Sequence, residues 1–167
     1  MFQDFKELLA AFNDHKVKYL IIGGYAVGFH AEPRATKDID ILIGNKPKNA
    51  EAAYAALKSF GAPLRGIKAA DLTDKDSFFR IGAPPIMIDL LSAAQGVAFE
   101  KAWSRREQMT IDKKAKLKVW VVSLEDLLAS KIAAGRPQDL ADIASLRAAN
   151  EIVAGLRPKS KKDLKPS

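Results

Sequence analysis

The chain has 167 residues, 48% of them hydrophobic, and a formal net charge of +7. That is material for one domain with a buried core, and no apolar run approaches the ~20 residues that a membrane-spanning helix needs. With no cysteine, disulfides and thiolate chemistry are excluded, and two histidines argue against a conventional zinc site.

The first residues lack the charge-then-apolar order of a signal peptide, so a cytoplasmic location and no membrane partner are expected. Residues 2–13 read as an amphipathic helix, with Phe5, Leu8, Leu9 and Phe12 on one face. Residues 17–22 form a strand, and Gly23-Gly24 opens a short helix over residues 25–30 that Glu32-Pro33-Arg34 breaks. The apolar run of residues 38–43 is a second strand. A turn at Gly44-Asn45-Lys46-Pro47 leads into an alanine-rich helix over residues 47–60, which Gly61-Ala62-Pro63 ends.

Residues 78–81 and 85–91 read as a strand pair joined by Gly82-Ala83-Pro84, followed by a short helix at 99–103 and short strands at 108–111 and 117–122. Around this last hairpin lies a basic cluster of Arg105, Arg106, Lys113, Lys114, Lys116 and Lys118, a candidate surface for RNA. Ser123 is an N-cap with acids in the first turn behind it, and its helix runs to Ala134. Gly135 stops that helix, Pro137 starts another, and this one is expected to end near Asn150.

The expected architecture is an α/β (α+β) domain over residues 1–150: a short mixed sheet flanked by helices, with a core at about 17–122 and a C-terminal helical pair at 123–150. Residues 151–167 read as a flexible basic tail. From Arg157 onward they carry five basic side chains and one acidic one, suited to solubility or to loose polyanion contacts.

Two neighbouring strands carry the chemistry. Asp38 and Asp40 are two apart on a strand, so both carboxylates project to one face. Such close anions repel, and a divalent cation resolves the conflict; Mg²⁺, or Mn²⁺ in its place, takes oxygen ligands from carboxylates and substrate phosphates. The structural alternative is that salt bridges hold both. Gly23-Gly24, at a strand-to-helix junction, brings bare backbone amides and a helix dipole to a site where phosphate fits. Asp89 is a third acid, out of place in the apolar run Ile86-Met87-Ile88-Asp89-Leu90-Leu91. If its strand lies beside that of Asp38 and Asp40, the three converge, with Asp89 a metal ligand or a general base.

The diglycine, a spacer, and then Asp38-Ile39-Asp40-Ile41 resemble the signature of nucleotidyltransferases of the DNA polymerase β-like superfamily. The Arg34-Ala35-Thr36-Lys37-Asp38-Ile39-Asp40 form is similar to the branch that includes abortive-infection-type toxins. The resemblance implies a nucleoside triphosphate substrate bound at Gly23 and Gly24, with Asp38, Asp40 and Asp89 in metal binding and catalysis. In that branch the C-terminal helices carry a lysine and acids facing the nucleotide, which points to Lys131, Arg136, Asp139 and Asp142. The alternative for the last two is ordinary helix chemistry, a dipole interaction and a surface ion pair.

Arg34, Thr36 and Lys37, just before the aspartates, are candidates for phosphate, though Arg34 could instead pair with a carboxylate. His30 is expected to be a packed helix-end histidine. The activity implied is transfer of a nucleoside monophosphate to a hydroxyl of RNA, protein or a small molecule. A toxin–antitoxin setting with a cognate antitoxin or toxin partner is implied by resemblance alone. The competing readings are a silent nucleotide-binding module of the same fold and a nucleotide-sugar glycosyltransferase.

Overall fold

The computed structural model describes residues 1–156. Its elements alternate as expected: α1 (Gln3–Asp14), β1 (Tyr19–Ile22), α2 (Gly23–His30), β2 (Asp38–Ile43), α3 (Pro47–Phe60), a 3₁₀ turn (Ala69–Thr73), β3 (Phe78–Ala83), β4 (Ile86–Leu91), α4 (Phe99–Ser104), β5 (Glu107–Asp112), β6 (Leu117–Val121), α5 (Leu124–Ala134) and α6 (Pro137–Leu156).

The strands form one mixed six-stranded sheet in the order β3-β4-β2-β1-β6-β5. β1 runs antiparallel to β2 and parallel to β6, while β2 and β4 are parallel. Both outer pairs, β3–β4 and β5–β6, are antiparallel hairpins. β1, in the middle of the sheet, is buried at all four positions.

α1 buries the stripe its periodicity announces, Phe5, Leu8, Leu9 and Phe12, all fully inaccessible; each such side chain contributes about 1.5–3 kcal/mol of transfer free energy. It packs against α3, whose buried face is small (Ala50, Ala53, Ala56 and Leu57) and admits a close approach. α2, α5 and α6 pack on one another and form the wall over the diglycine end of β1. Ser123 caps α5 as expected, its Oγ accepting from the Asp126 N–H at 3.2 Å.

Of the boundaries that differ from expectation, three have a plain local reason. β1 begins at Tyr19 because the Val17 N–H is already donated to Phe12 O at the end of α1. α2 takes in Gly23 and Gly24 as its first turn. α6 continues past Asn150 to Leu156, since no proline interrupts the ladder before Pro158. The first six residues assigned to the tail are therefore helical, and the basic remainder lies outside the described residues. Among the described residues no helix is long and apolar enough to cross a membrane.

Candidate active site

The parallel pairing of β2 with β4 sets Asp40 directly beside Asp89, with Asp38 opposite Met87. The condition for the three acids to share a face is thereby met. Asp38 sits at the rim with a side chain 41% exposed, and Asp89 lies at the floor with 7%. Asp40, between them, abuts β1 at Ile22 and the start of α2. Its carboxyl is pushed up to about 6, first by burial and then by the charges of Asp89 and Asp38, against the partial relief that Lys131 gives. Among the described residues Asp40 makes no ion pair.

The diglycine is shaped around this carboxylate. Gly23 has φ of +66°, and a Cβ there would overlap Asp40 Oδ2 and stand 2.8 Å from its Cγ. Gly24 faces the other way, where a Cβ would be 2.9 Å from Thr36 Oγ1 and 3.3 Å from Arg34 Nη2. Thr36 donates its hydroxyl to Asp38 O at 3.1 Å, fixing the loop that enters β2. No side chain caps α2, so its first N–H groups are available to an anion.

The sequence reading missed one member of the site, Arg80. The β3–β4 register sets Arg80 opposite Asp89, and its guanidinium forks onto that carboxylate, Nε to Oδ1 at 2.7 Å and Nη2 to Oδ2 at 2.8 Å. Its Nη2 also stands 4.0 Å from Asp38 Oδ2. The hydrogen bond to Asp89 makes Arg80 still harder to deprotonate. The expected turn hid this: a hairpin turning about Gly82-Ala83-Pro84 would set Arg80 opposite Ile86, whereas β3 runs on through Ala83 and the turn falls at Pro84-Pro85, which sets Arg80 opposite Asp89.

The C-terminal pair supplies a charge network. Lys131 Nζ donates to Asp139 Oδ1 at 3.1 Å and lies 2.9 Å from Asp142 Oδ2. Arg34 forks onto Asp142 at 2.9 and 3.1 Å, and Arg136 Nε donates to Asp139 Oδ2 at 2.7 Å. Both carboxylates are essentially inaccessible. Arg136, then Lys131, holds Asp139 down at about 2. Burial alone would push Asp142 up, but hydrogen bonds from Lys131, Arg34 and Gln138 outweigh it, and the net direction is down.

Both acids, expected to face a nucleotide, serve the surrounding cations as counter-ions; Asp139 still lines the cleft, and Asp142 does not. Of these cations, Arg136 keeps a side chain 74% exposed at the cleft.

A cleft of about 700 Å³ gathers Gly23, Gly24, Arg34, Thr36, Asp38, Asp40, Asp89, Lys131, Arg136 and Asp139, with Arg80 added. Asp142 lies behind it and Lys37 is exposed elsewhere, so neither lines it. His30 is packed at its helix end and donates Nε2–H to Val122 O at 2.7 Å. The basic hairpin is at the opposite edge of the sheet. Two of its members are engaged within the fold: Arg105 forks onto Asp126, and the Arg106 guanidinium lies 4.0 and 4.4 Å from the Trp103 and Trp120 ring centroids.

An all-oxygen donor pair on one strand, one member crowded and without a cation, suits a hard divalent ion that also takes phosphate oxygens. Among the described residues no group of three or more acidic, histidine or cysteine side chains converges to hold an ion, and both Asp89 oxygens accept from Arg80.

The fold recurs in solved structures at low identity. The lincosamide antibiotic adenylyltransferase LnuA with lincomycin bound aligns at TM-score 0.56 and 17% identity, over 89% of this chain and 98% of that one. ANT(2'')-Ia in complex with adenylyl-2''-tobramycin aligns at 0.55 and 17%, over 89% and 87%. An antigenic nucleotidyltransferase-like protein from Paracoccidioides brasiliensis aligns at 0.53 and 16%, over 88% and 73%. No curated protein sequence matches the chain. None of the three structures carries the finer likeness to the abortive-infection-type branch. A family model described as "Nucleotidyltransferase of unknown function (DUF6036)" matches residues 1–156, and the chain belongs to that family of nucleotidyltransferases.

Proposed function

We propose that this nucleotidyltransferase moves a nucleoside monophosphate from a nucleoside triphosphate to the hydroxyl of a small polyhydroxylated acceptor. The observation that carries the reading is the Asp40 carboxylate, crowded by Asp38 and Asp89 and seated against the bare backbone of Gly23. The acceptor oxygen attacks the α-phosphorus, the bond to the β-phosphate bridging oxygen breaks, and pyrophosphate leaves with the electron pair. The amides opening α2 bind the phosphate chain. Arg136 and Arg34, anchored from behind by Asp139 and Asp142, present fixed positive charge where negative charge develops.

Asp89 receives the acceptor proton, and the Arg80 fork fixes its orientation. Asp38 and Asp40 would hold Mg²⁺ or Mn²⁺, which when bound neutralises charge on the phosphates. A cleft of about 700 Å³ has the dimensions of a nucleotide with a small acceptor. The fold is shared with LnuA bound to lincomycin and with ANT(2'')-Ia bound to adenylyl-2''-tobramycin, which supports adenylyl transfer to such a molecule ahead of transfer to RNA or protein. The toxin–antitoxin setting rests on resemblance alone.

The test is transfer of label from each α-³²P-labelled triphosphate, with Mg²⁺ or Mn²⁺, to a panel of aminoglycoside and lincosamide acceptors, cellular RNA and protein. Label on a small acceptor, absent with EDTA and with the Asp38→Asn/Asp40→Asn variant, upholds the proposal. Label on RNA or protein moves the acceptor class and keeps the chemistry. Equal transfer by the double variant refutes the assignment of the acids.

A further inference from the structure

At the end of the sheet remote from the acids, the chain builds a second concave surface. Residues 15–18 lead into β1 and residues 44–49 leave β2, so both loops lie at the Tyr19–Ile43 end of that pair, while Asp40 lies at the Ile22 end. A strand of that length, at about 3.3 Å per residue, separates the two ends. Two clefts of about 500 and 430 Å³ adjoin here and share Lys16 and Lys18. Lys48 lines the first; Lys118, Trp103 and Trp120 line the second.

The floor is preorganised. Asn49 accepts the Lys18 N–H at 2.7 Å and donates to Lys18 O at 3.0 Å and Gly44 O at 2.8 Å, pinning the two loops together. Asn13 accepts from the Tyr19 hydroxyl at 3.0 Å and donates to Lys118 O at 2.7 Å.

The arginines and the lysine of the catalytic cleft are each held by a carboxylate. Among the described residues, Lys16, Lys18, Lys48 and Lys118 have no ion pair, and nearby Lys46 alone reaches an acid, Glu100 at 3.3 Å. Freedom from ion pairs among the described residues is shared with other surface lysines such as Lys58 and Lys75; what distinguishes these four is that they line one groove. Lys16, in addition, closes α1 in the left-handed conformation, φ +56°. Glycine is favoured there, because a Cβ crowds the following carbonyl. Strain kept for a charged side chain at the junction of two clefts is a sign of use.

We propose that this groove binds a single-stranded nucleic acid, with phosphates on Lys16, Lys18, Lys48 and Lys118 and bases against Trp103 and Trp120. Unpaired cations along a narrow groove, with aromatic rings beside them, are what sequence-tolerant single-strand binding requires. The rings are half-buried, Arg106 lies between them, Phe99 stacks on Trp103 at 6.1 Å and Lys18 Nζ stands 5.9 Å from the Trp103 ring. Bases therefore meet the rings at their exposed margins, and the cations beside them disfavour insertion into a lipid surface. The groove stands independently of the catalytic assignment, since it shares no residue with the acid cleft.

The chain's two tryptophans both line the groove, so intrinsic fluorescence reads it directly. The full chain is titrated with a short oligouridylate and with the matching oligodeoxythymidylate. Saturable quenching is expected, with log affinity falling against log salt at a slope of about −3 for four phosphate contacts. Lys16→Glu/Lys18→Glu, and separately Lys48→Glu/Lys118→Glu, should weaken binding about tenfold or more without lowering the melting temperature.

Lys58→Glu/Lys75→Glu makes the same charge change away from the groove and should leave binding unaltered. Asp38→Asn/Asp40→Asn should bind as the parent does, whatever becomes of transfer. Quenching by both oligomers marks a reader of backbone and base stacking, and preference for oligouridylate marks an RNA site; either upholds the proposal. Four results would overturn it: absence of quenching, binding indifferent to the groove variants, equal loss with Lys58→Glu/Lys75→Glu, or full competition by inorganic triphosphate at equal phosphate concentration.

Discussion

Asp40→Asn is expected to abolish transfer and yet stabilise the metal-free fold. Burial and the charges of Asp89 and Asp38 raise this carboxyl from an ordinary 3.8 to about 6. The folded chain therefore holds the Asp40 proton more tightly than the unfolded chain does. Its ionised form opposes folding above about pH 6, and the opposition fades as pH falls toward 3.8. At about 1.4 kcal/mol per tenfold in the proton equilibrium, the full penalty is about 3 kcal/mol.

Solvent over a half-buried group, together with the hydrogen-bonding needs of the new amide, brings the expected gain to about 1–2 kcal/mol. For a chain of this size that is a rise in Tm of about 2–8 °C. Thermal and urea unfolding of both proteins in EDTA, near pH 7.5 and near pH 4.5, is the assay, with label transfer measured alongside. The gap should be wide at the higher pH and shrink to about a third at the lower. A variant less stable than the parent, by a margin that pH does not change, would refute the reasoning and make Asp40 part of a structural ion pair.

Gly23→Ala should lower transfer about 100-fold, because its Cβ displaces the Asp40 carboxylate and ångström-scale misplacement of a reacting group is that costly; the left-handed backbone adds a loss of stability of about 1–2 kcal/mol. Kinetics and melting on Gly23→Ala and Gly24→Ala together check this, since Gly24 meets only movable side-chain atoms of Thr36 and Arg34, and equal effects would contradict it. Asp142→Ala strips Arg34 of its forked partner and leaves buried Lys131 with Asp139 alone, a loss of about 2–4 kcal/mol by urea unfolding. The contribution of Asp139 is in place above its ordinary 3.8 and drains away as pH falls toward about 2, so Asp139→Asn should flatten the acid limb of the stability profile.

What the sequence showed plainly was local. Residues 38–43 and 47–60 appear as expected because apolar runs, a turn signal and a terminal glycine act over a few neighbours. The compound of diglycine and paired aspartates was legible for the same reason. What stayed hidden was set by distant pairings. The order of the sheet brings Asp89 to Asp40 through a parallel contact across 49 residues of chain, and sequence could state it only as a condition.

Lys131, Asp139 and Asp142 were found as a group, but their mutual ion pairs and the place of Asp142 behind the cleft were not, because i, i+3 spacing shows that two acids share a face and not what that face meets. Arg105 and Arg106 looked like free surface charge, and only tertiary packing supplies Asp126 and the two indoles that engage them.

The position of Arg80 on β3 has a further consequence. β3 is an edge strand, hydrogen-bonded to β4 alone, and Phe78 at its start is 53% exposed. β2 has a neighbour on each side and an almost wholly buried face. Local opening is therefore cheaper at β3 than at β2, and amide exchange should be quicker along Phe78–Ala83 than along Asp38–Ile43. Asp38 and Asp40 are written into the slow-exchanging interior of the sheet, while the cation that occupies Asp89 rides on a fast margin. The two halves of the site keep different time: a basin of carboxylates as durable as the fold itself, beside a counter-ion whose residence is set by the fraying of a hairpin.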